Sequence, residues 1–286
     1  MTITSLDLEL FVTALRNYSS YDFREYSDKS LKRRLAKVLT DYKLEIQGLI
    51  TQMRTDPLFI EQVVKDITVN TTELFRDPQI WQHIKYVLLP KWKNQQTINI
   101  WHAGCSYGQE VYSMLIMLNE VGMLEKARIY ATDLNSDVIA GAKKGVYKYR
   151  FNIAYLDNFD KALKENPFNY EEYFDIPYSK YFEIDKEKDH IKMHQFLVDK
   201  PTFKKQDLVN DGNIFYVKFD LVICRNVIIY FNYELQNKIF DLFYNNLYNH
   251  GFLWLGMHES ILGPFASKFE KFGHFYQKKE NLFFAT

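Results

Sequence analysis

The chain has 286 residues, with 36 Lys plus Arg against 36 Asp plus Glu, so it carries no formal net charge. The missing basic excess speaks against a protein that grips nucleic-acid phosphates. The 47% hydrophobic and 17% aromatic shares exclude a disordered chain.

The two cysteines, Cys105 and Cys224, are far apart, so a reducing compartment is a simpler reading than a disulfide framework. The start, MTITSLDLELF, lacks the basic-then-apolar order of a signal peptide. No apolar run approaches the roughly 20 residues of a membrane span. A cytoplasmic protein without membrane insertion is the expectation.

Residues 1 to about 80 read as an all-helical domain. Leu6, Leu8, Leu10, Phe11 and Leu15 crowd one face near helical spacing. Leu31, Leu35, Val38 and Leu39 repeat at i, i+4, i+7, i+8, with Ser27 or Asp28 as the cap. The other face of that helix carries Lys29, Lys32, Arg33, Arg34 and Lys37. Asp56-Pro57 opens a further helix with Phe59, Ile60, Val63, Val64 and Ile67 inward.

From about residue 81 to 286 the pattern is that of an α/β domain. Thr97–Trp101 reads as a strand running into Ala103-Gly104-Cys105-Ser106-Tyr107-Gly108, and a helix with Val111, Met114, Leu115 and Leu118 follows. A second strand, Ala127–Asp133, ends in an acid, and a short helix spans about 136–144. The order β-loop-α-β-Asp-α belongs to an open, mostly parallel, Rossmann-like sheet that binds a nucleoside-containing cofactor. Residues from about 150 to 200 interrupt the alternation as a small β insertion, in which Tyr181–Asp185 and His190–His194 read as a hairpin. His190 and His194 lack further ligands and read as strand residues, not a metal site. The alternation resumes with a buried strand at Phe219–Cys224, a helix from about 233 to 247 and a strand at Gly251–Gly256.

The loop after the first strand spaces its glycines as Gly-x-x-x-Gly, not as the dinucleotide G-x-G-x-x-G, and no G-x-x-x-x-G-K-[ST] occurs. Asp133, at the end of the next strand, is placed to accept both hydroxyls of a ribose. Loop and acid together fit a site for S-adenosylmethionine (SAM).

Four segments narrow the class to a family: Asn70-Thr71-Thr72-Glu73-Leu74-Phe75-Arg76-Asp77-Pro78, the stretch AGCSYGQEVYS from Ala103 to Ser113, Cys224-Arg225-Asn226-Val227-Ile228-Ile229-Tyr230-Phe231, and Leu255-Gly256-Met257-His258-Glu259-Ser260. With these in order the chain resembles the CheR family, the chemoreceptor glutamate O-methyltransferases of bacterial chemotaxis, over nearly its whole length.

The resemblance implies a SAM-dependent methyltransferase that esterifies glutamate side chains on the cytoplasmic helices of a methyl-accepting chemotaxis protein, leaving S-adenosylhomocysteine. It implies that Asn70, Thr72 and Arg76 contact SAM, with Gly104 in the cofactor loop. Glu110 meets the methionine ammonium, Asp133 the ribose, and Asp207 and Leu208 the adenine. Arg225 and Asn226 lie at the fourth strand's end, and Tyr230 faces the methyl group. Arg76 and Tyr230 are the implied catalytic pair, and Lys32, Arg33, Arg34 and Lys37 dock the receptor. Some relatives also hold a receptor tail peptide on the insertion hairpin.

The chain departs from the family pattern at Gln109, where a glutamate is common, and at Asp207, often an asparagine. A methyltransferase with another substrate and a non-catalytic SAM-binding adaptor are the alternatives. Cys105 and Cys224 read as packing residues, and His258-Glu259 as structural beside the pocket.

Overall fold

The computed structural model describes residues 2–280. Four helices come first: α1 (Ser5–Tyr18), α2 (Asp28–Tyr42), α3 (Ile46–Thr55) and α4 (Pro57–Ile67). Thr4 and Asp7 start α1 with a reciprocal capping box. Asp56 caps α4 by accepting the N–H groups of Leu58 and Phe59, with Pro57 in the first turn. Ser27 occupies the cap position of α2, but its side chain makes no capping bond. The four helices bury Leu8, Phe11, Leu15, Leu31, Leu35, Val38, Leu49, Met53, Val63 and their neighbours in one core that ends at Ile67. Leu74, Phe75, Ile80 and Trp81, although they precede residue 81 or fall close to it, pack into the core of the sheet domain instead.

That domain begins with α5 (Pro78–His83), which runs on through one π turn to Leu88 and one 3-10 turn to Trp92. The first alternation comprises β1 (Ile98–Ala103), α6 (Gln109–Glu120), β2 (Ala127–Asp133) and α7 (Ser136–Lys144). The insertion contains β3 (Val146–Lys148), α8 (Tyr149–Asn152), α9 (Ala154–Leu163), β4 (Phe182–Asp185), β5 (His190–Met193) and α10 (Gln195–Val198). The chain then returns to the main sheet with β6 (Pro201–Lys205), β7 (Phe219–Cys224), α11 (Tyr233–Asn246), β8 (Leu247–Leu255), β9 (Phe269–Phe272) and β10 (Phe275–Lys278).

The seven-stranded sheet has the order β6-β2-β1-β7-β8-β10-β9. Its first five strands run parallel, and β10 pairs antiparallel with both β8 and β9. Alternate side chains feed two cores, one on each face. Ile98, Ile100, Leu221, Ile223, Phe252 and Trp254 lie on one side with α6. Trp101, Ala103, Val222, Cys224, Leu253 and Leu255 lie on the other with α11. The strand β7 is buried at every residue, as a central parallel strand must be.

The insertion folds as a three-stranded antiparallel sheet, β3-β5-β4. Its β4–β5 hairpin is the expected one, but its third strand precedes residue 150. It is tied to the main domain where the Tyr147 hydroxyl donates to the Tyr107 carbonyl (2.8 Å). Among the described residues, no helix is long and apolar enough to cross a membrane.

Candidate active site

Strand order reverses between β1 and β7, and a crevice opens there at the carboxyl ends, where parallel sheets bind their ligands. The loop after β1 is fixed by hydrogen bonds from the Gly104 and Cys105 N–H groups to the Thr132 carbonyl, both 2.8 Å. Gly104 has φ +82°, and a Cβ there would meet Val227 Cγ2 at 2.4 Å. Glycine is therefore required on two counts, backbone sign and space. Ser106 (φ 50°) and Asn226 (φ 60°) adopt the same left-handed region without being glycine. Such strain gathers where the surrounding structure enforces a functional shape.

One cavity occupies this crevice. Around it the fold brings together Asn70, Gly104, Asp133, Asp207, Leu208, Arg225, Asn226 and Tyr230, all singled out from the sequence. Thr71, rather than Thr72, lines it; Arg76 and Glu110 are not among the lining residues but each bonds one that is, Asn226 and Arg225 respectively. The helical domain closes the far wall with Phe23, Tyr26, Ser30, Leu31 and Arg34.

Asp133 accepts the Ser106 N–H at 2.8 Å and the Asn135 N–H at 2.9 Å, each on a separate oxygen. Burial pushes its carboxyl up, against the pull of these backbone donors. Asp207 is held by the Val209 N–H (2.9 Å) and the Asn210 side chain (2.8 Å), and burial pushes it up as well.

Behind the cavity lies a buried ionic network. Glu110 meets His102 Nδ1 at 3.0 Å and Arg225 Nη1 at 3.2 Å. Burial pushes the Glu110 carboxyl up, but His102 and Arg225 outweigh it and hold it below the usual carboxylate range. An ionised carboxylate only accepts, so the His102 proton sits on Nδ1. The Arg225 side chain is 2% exposed, bonded also to Asp77, with its guanidinium 4.4 Å from the Trp254 ring. Arg76 bonds Glu73 Oε1 through Nε (3.2 Å) and Nη2 (2.9 Å), and Asn226 Oδ1 through Nη1 (3.0 Å).

The loop that carries Arg225, Asn226 and Tyr230 is clamped from a distance. Glu259 accepts the N–H groups of Gly256 (2.6 Å), Asn226 (2.8 Å), Val227 (3.0 Å) and Ile229 (3.2 Å). The sequence reading left Glu259 a structural residue beside the pocket, and the structure gives that role its content. Roles for His102, Asp77 and Tyr26 are not legible in the sequence: Asp77 and Tyr26 meet Arg225 and Phe231 from far along the chain, and His102 meets Glu110 only once β1 and α6 pack together.

Of the basic residues on α2, Lys29, Arg33 and Lys37 are exposed and Lys32 is half-buried. Lys37 pairs with Asp41, and Lys32 donates to Ser5 Oγ at 2.9 Å. Arg34 departs from this face and lines the cavity, because it stands three positions after Leu31 and four before Val38, beside the buried stripe. Cys105 and Cys224 are buried and unpaired, and burial raises both thiols well above their usual range.

These residues suit an adenosyl ligand. Two carboxylates face one crevice, a glycine lets the backbone approach, and aliphatic and aromatic side chains with a few polar groups line the rest. The chain matches two family models: the CheR methyltransferase SAM-binding domain over residues 70–276 and the CheR methyltransferase all-alpha domain over residues 6–68. It is 35% identical to a Pseudomonas putida protein named as the methyltransferase Cher3, over 93% of each chain. It is 28% identical to chemotaxis protein methyltransferase 1 of Pseudomonas aeruginosa, over 91% of this chain and 92% of that one. It is 25% identical to the chemotaxis protein methyltransferase of Listeria innocua, over 90% and 91%. The residue patterns, the two-domain fold and the family matches agree: the chain belongs to the CheR methyltransferase family, and its cofactor is S-adenosylmethionine.

Proposed function

We propose that the protein transfers a methyl group from S-adenosylmethionine to glutamate side chains on the cytoplasmic helices of a chemoreceptor, forming methyl esters. The observation that carries this reading is the double use of α2. Its Ser30, Leu31 and Arg34 wall the cofactor cavity, while Lys29 and Arg33 project into solvent. An acidic receptor helix drawn to that cationic face would lie across the mouth of the cavity.

When bound, S-adenosylmethionine supplies an electrophilic methyl group on a sulfonium. A glutamate has a reference pKa of about 4.3, so the nucleophile is already ionised near neutral pH and no strong base is needed. The chain must place it in line, which contributes roughly 7–11 kcal/mol in favourable systems. The chain must also keep it ionised as water leaves, since burial favours the protonated acid.

Arg76 is suited to this. Three of the five N–H bonds of its guanidinium go to Glu73 and Asn226, leaving two for an incoming carboxylate. Glu73 and Asn226 fix the plane of the fork, and Tyr230, on the cavity wall, orients the acceptor oxygen by hydrogen bonding. Asp133 holds the ribose, Asp207 and Leu208 the adenine, and Glu110 the ammonium, with His102 and Arg225 keeping Glu110 ionised.

The test is incubation with methyl-labelled S-adenosylmethionine and a receptor cytoplasmic fragment. Base-labile label on glutamate is expected, with strong loss of turnover in a folded Arg76→Ala variant. Cofactor binding without transfer to any receptor fragment would overturn the reading in favour of a binding adaptor.

A further inference from the structure

The helical domain contributes a side chain that neither the mechanism nor the motifs use. Tyr26 lies in the connection between α1 and α2 and lines the cavity. Its ring stacks on Phe23 (centroids 4.3 Å apart) and meets Phe231 edge-on (5.1 Å). Its backbone bridges to Phe231, flanked by hydrogen bonds from Ser27 N–H to the Tyr230 carbonyl and from Asn232 N–H to the Glu25 carbonyl, both 2.8 Å. The ring is thereby fixed from three sides. No hydrogen bond to the Tyr26 hydroxyl is found among the described residues, whereas Tyr21, a few residues earlier, spends its hydroxyl on Glu61. The groups that face it across the cavity are Asp133 and Asp207, whose charges, after burial, hold the phenol in its protonated, donor form.

A fixed phenol with a spare donor, between the carboxylates read as ribose and adenine anchors, has the chemistry to meet a nucleoside. We propose that Tyr26 is a cofactor-binding residue supplied by the all-α domain, donating a hydrogen bond to the adenosine half of S-adenosylmethionine. This rests on the reading that Asp133 holds the ribose. It makes the helical domain part of the cofactor site as well as a docking platform.

The experiment is calorimetric titration of the full chain and its Tyr26→Phe variant with S-adenosylhomocysteine and with 5′-deoxy-5′-methylthioadenosine, which lacks the amino-acid end. Phenylalanine keeps the ring contacts and removes only the hydroxyl. Affinity for both ligands is expected to fall by the same factor, about threefold to tenfold, as one hydrogen bond predicts. An unchanged thermal midpoint without ligand shows that the fold is intact. Asp133→Asn is the reference. If it weakens binding and Tyr26→Phe does not, the proposal fails while the ribose assignment stands. If neither variant weakens binding, the reading of the cavity fails with it. Loss confined to S-adenosylhomocysteine would place the contact on the amino-acid half and overturn the assignment.

Discussion

Glu259→Gln is the sharpest perturbation of the site that touches no ligand. In the native protein one oxygen takes the N–H groups of Gly256 and Asn226, and the other takes those of Val227 and Ile229. An amide of the same shape keeps one acceptor oxygen and turns an NH2 toward the other pair. Two N–H groups lose their partner, at about 1–3 kcal/mol each, or about 2–6 kcal/mol together. At roughly 2–4 °C per kcal/mol, the melting midpoint should fall by about 5–20 °C. Asn226 should relax from its left-handed backbone, and with it the anchor of Arg76. Differential scanning calorimetry reads the first effect, and titration with S-adenosylhomocysteine together with methyl transfer reads the second. A variant with native midpoint, native affinity and native turnover would show that Glu259 clamps nothing.

Three further outcomes follow from the geometry. Gly104→Ala combines an unfavourable backbone sign with a Cβ placed 2.4 Å from Val227 Cγ2 and should cost about 2–5 kcal/mol in urea unfolding; adding Val227→Ala should recover the steric part alone. Arg225→Ala deprives Asp77 of its partner and leaves Glu110 with His102 alone, and should cost about 3–5 kcal/mol, so a loss below about 1 kcal/mol by the same measurement would contradict the buried network. Burial raises the Asp133 carboxyl above its ordinary 3.8, so it takes up a proton earlier as pH falls, whereas ribose hydroxyls favour the ionised form. Affinity for S-adenosylhomocysteine should therefore be level near neutrality and decline on acidification before the ordinary carboxylate range is reached; Asp133→Asn should remove that component, and an unchanged profile in the variant would exclude Asp133 as its source.

The parts of the fold legible in the sequence are those whose burial is two-sided or periodic. Phe219–Cys224 is a strand with the expected bounds because it is buried at every residue, as a central parallel strand is, and Ala127–Asp133 is one because its buried Ala127, Ile129 and Ala131 alternate before the terminal acid. The strand Pro201–Lys205 was not legible. It starts with proline, buries only Phe203, and pairs on one edge with β2 alone. The short antiparallel strands β9 and β10 carry too few residues to show a period. At the site, Asp133 and the Gly104 loop announce themselves by position after a strand. Arg34 reads with its basic neighbours by charge, although its place three residues after Leu31 and four before Val38 puts it beside the inward stripe. Glu259 binds a loop about 30 residues earlier in the chain, and His102 is a partner for Glu110 only once β1 and α6 are packed. No local pattern encodes either pairing.

The paired rungs from Ser27 to Tyr230 and from Asn232 to Glu25 join two units that are far apart in sequence. Each rung is worth only about 1 kcal/mol, so the seam behaves as a weak hasp beside the cavity that Tyr26, Tyr230 and Phe231 line. Spent cofactor could leave by parting this seam without unfolding either core. The amide protons of Ser27 and Asn232 would then serve as reporters of release, exchanging with solvent more slowly when the nucleoside is in place.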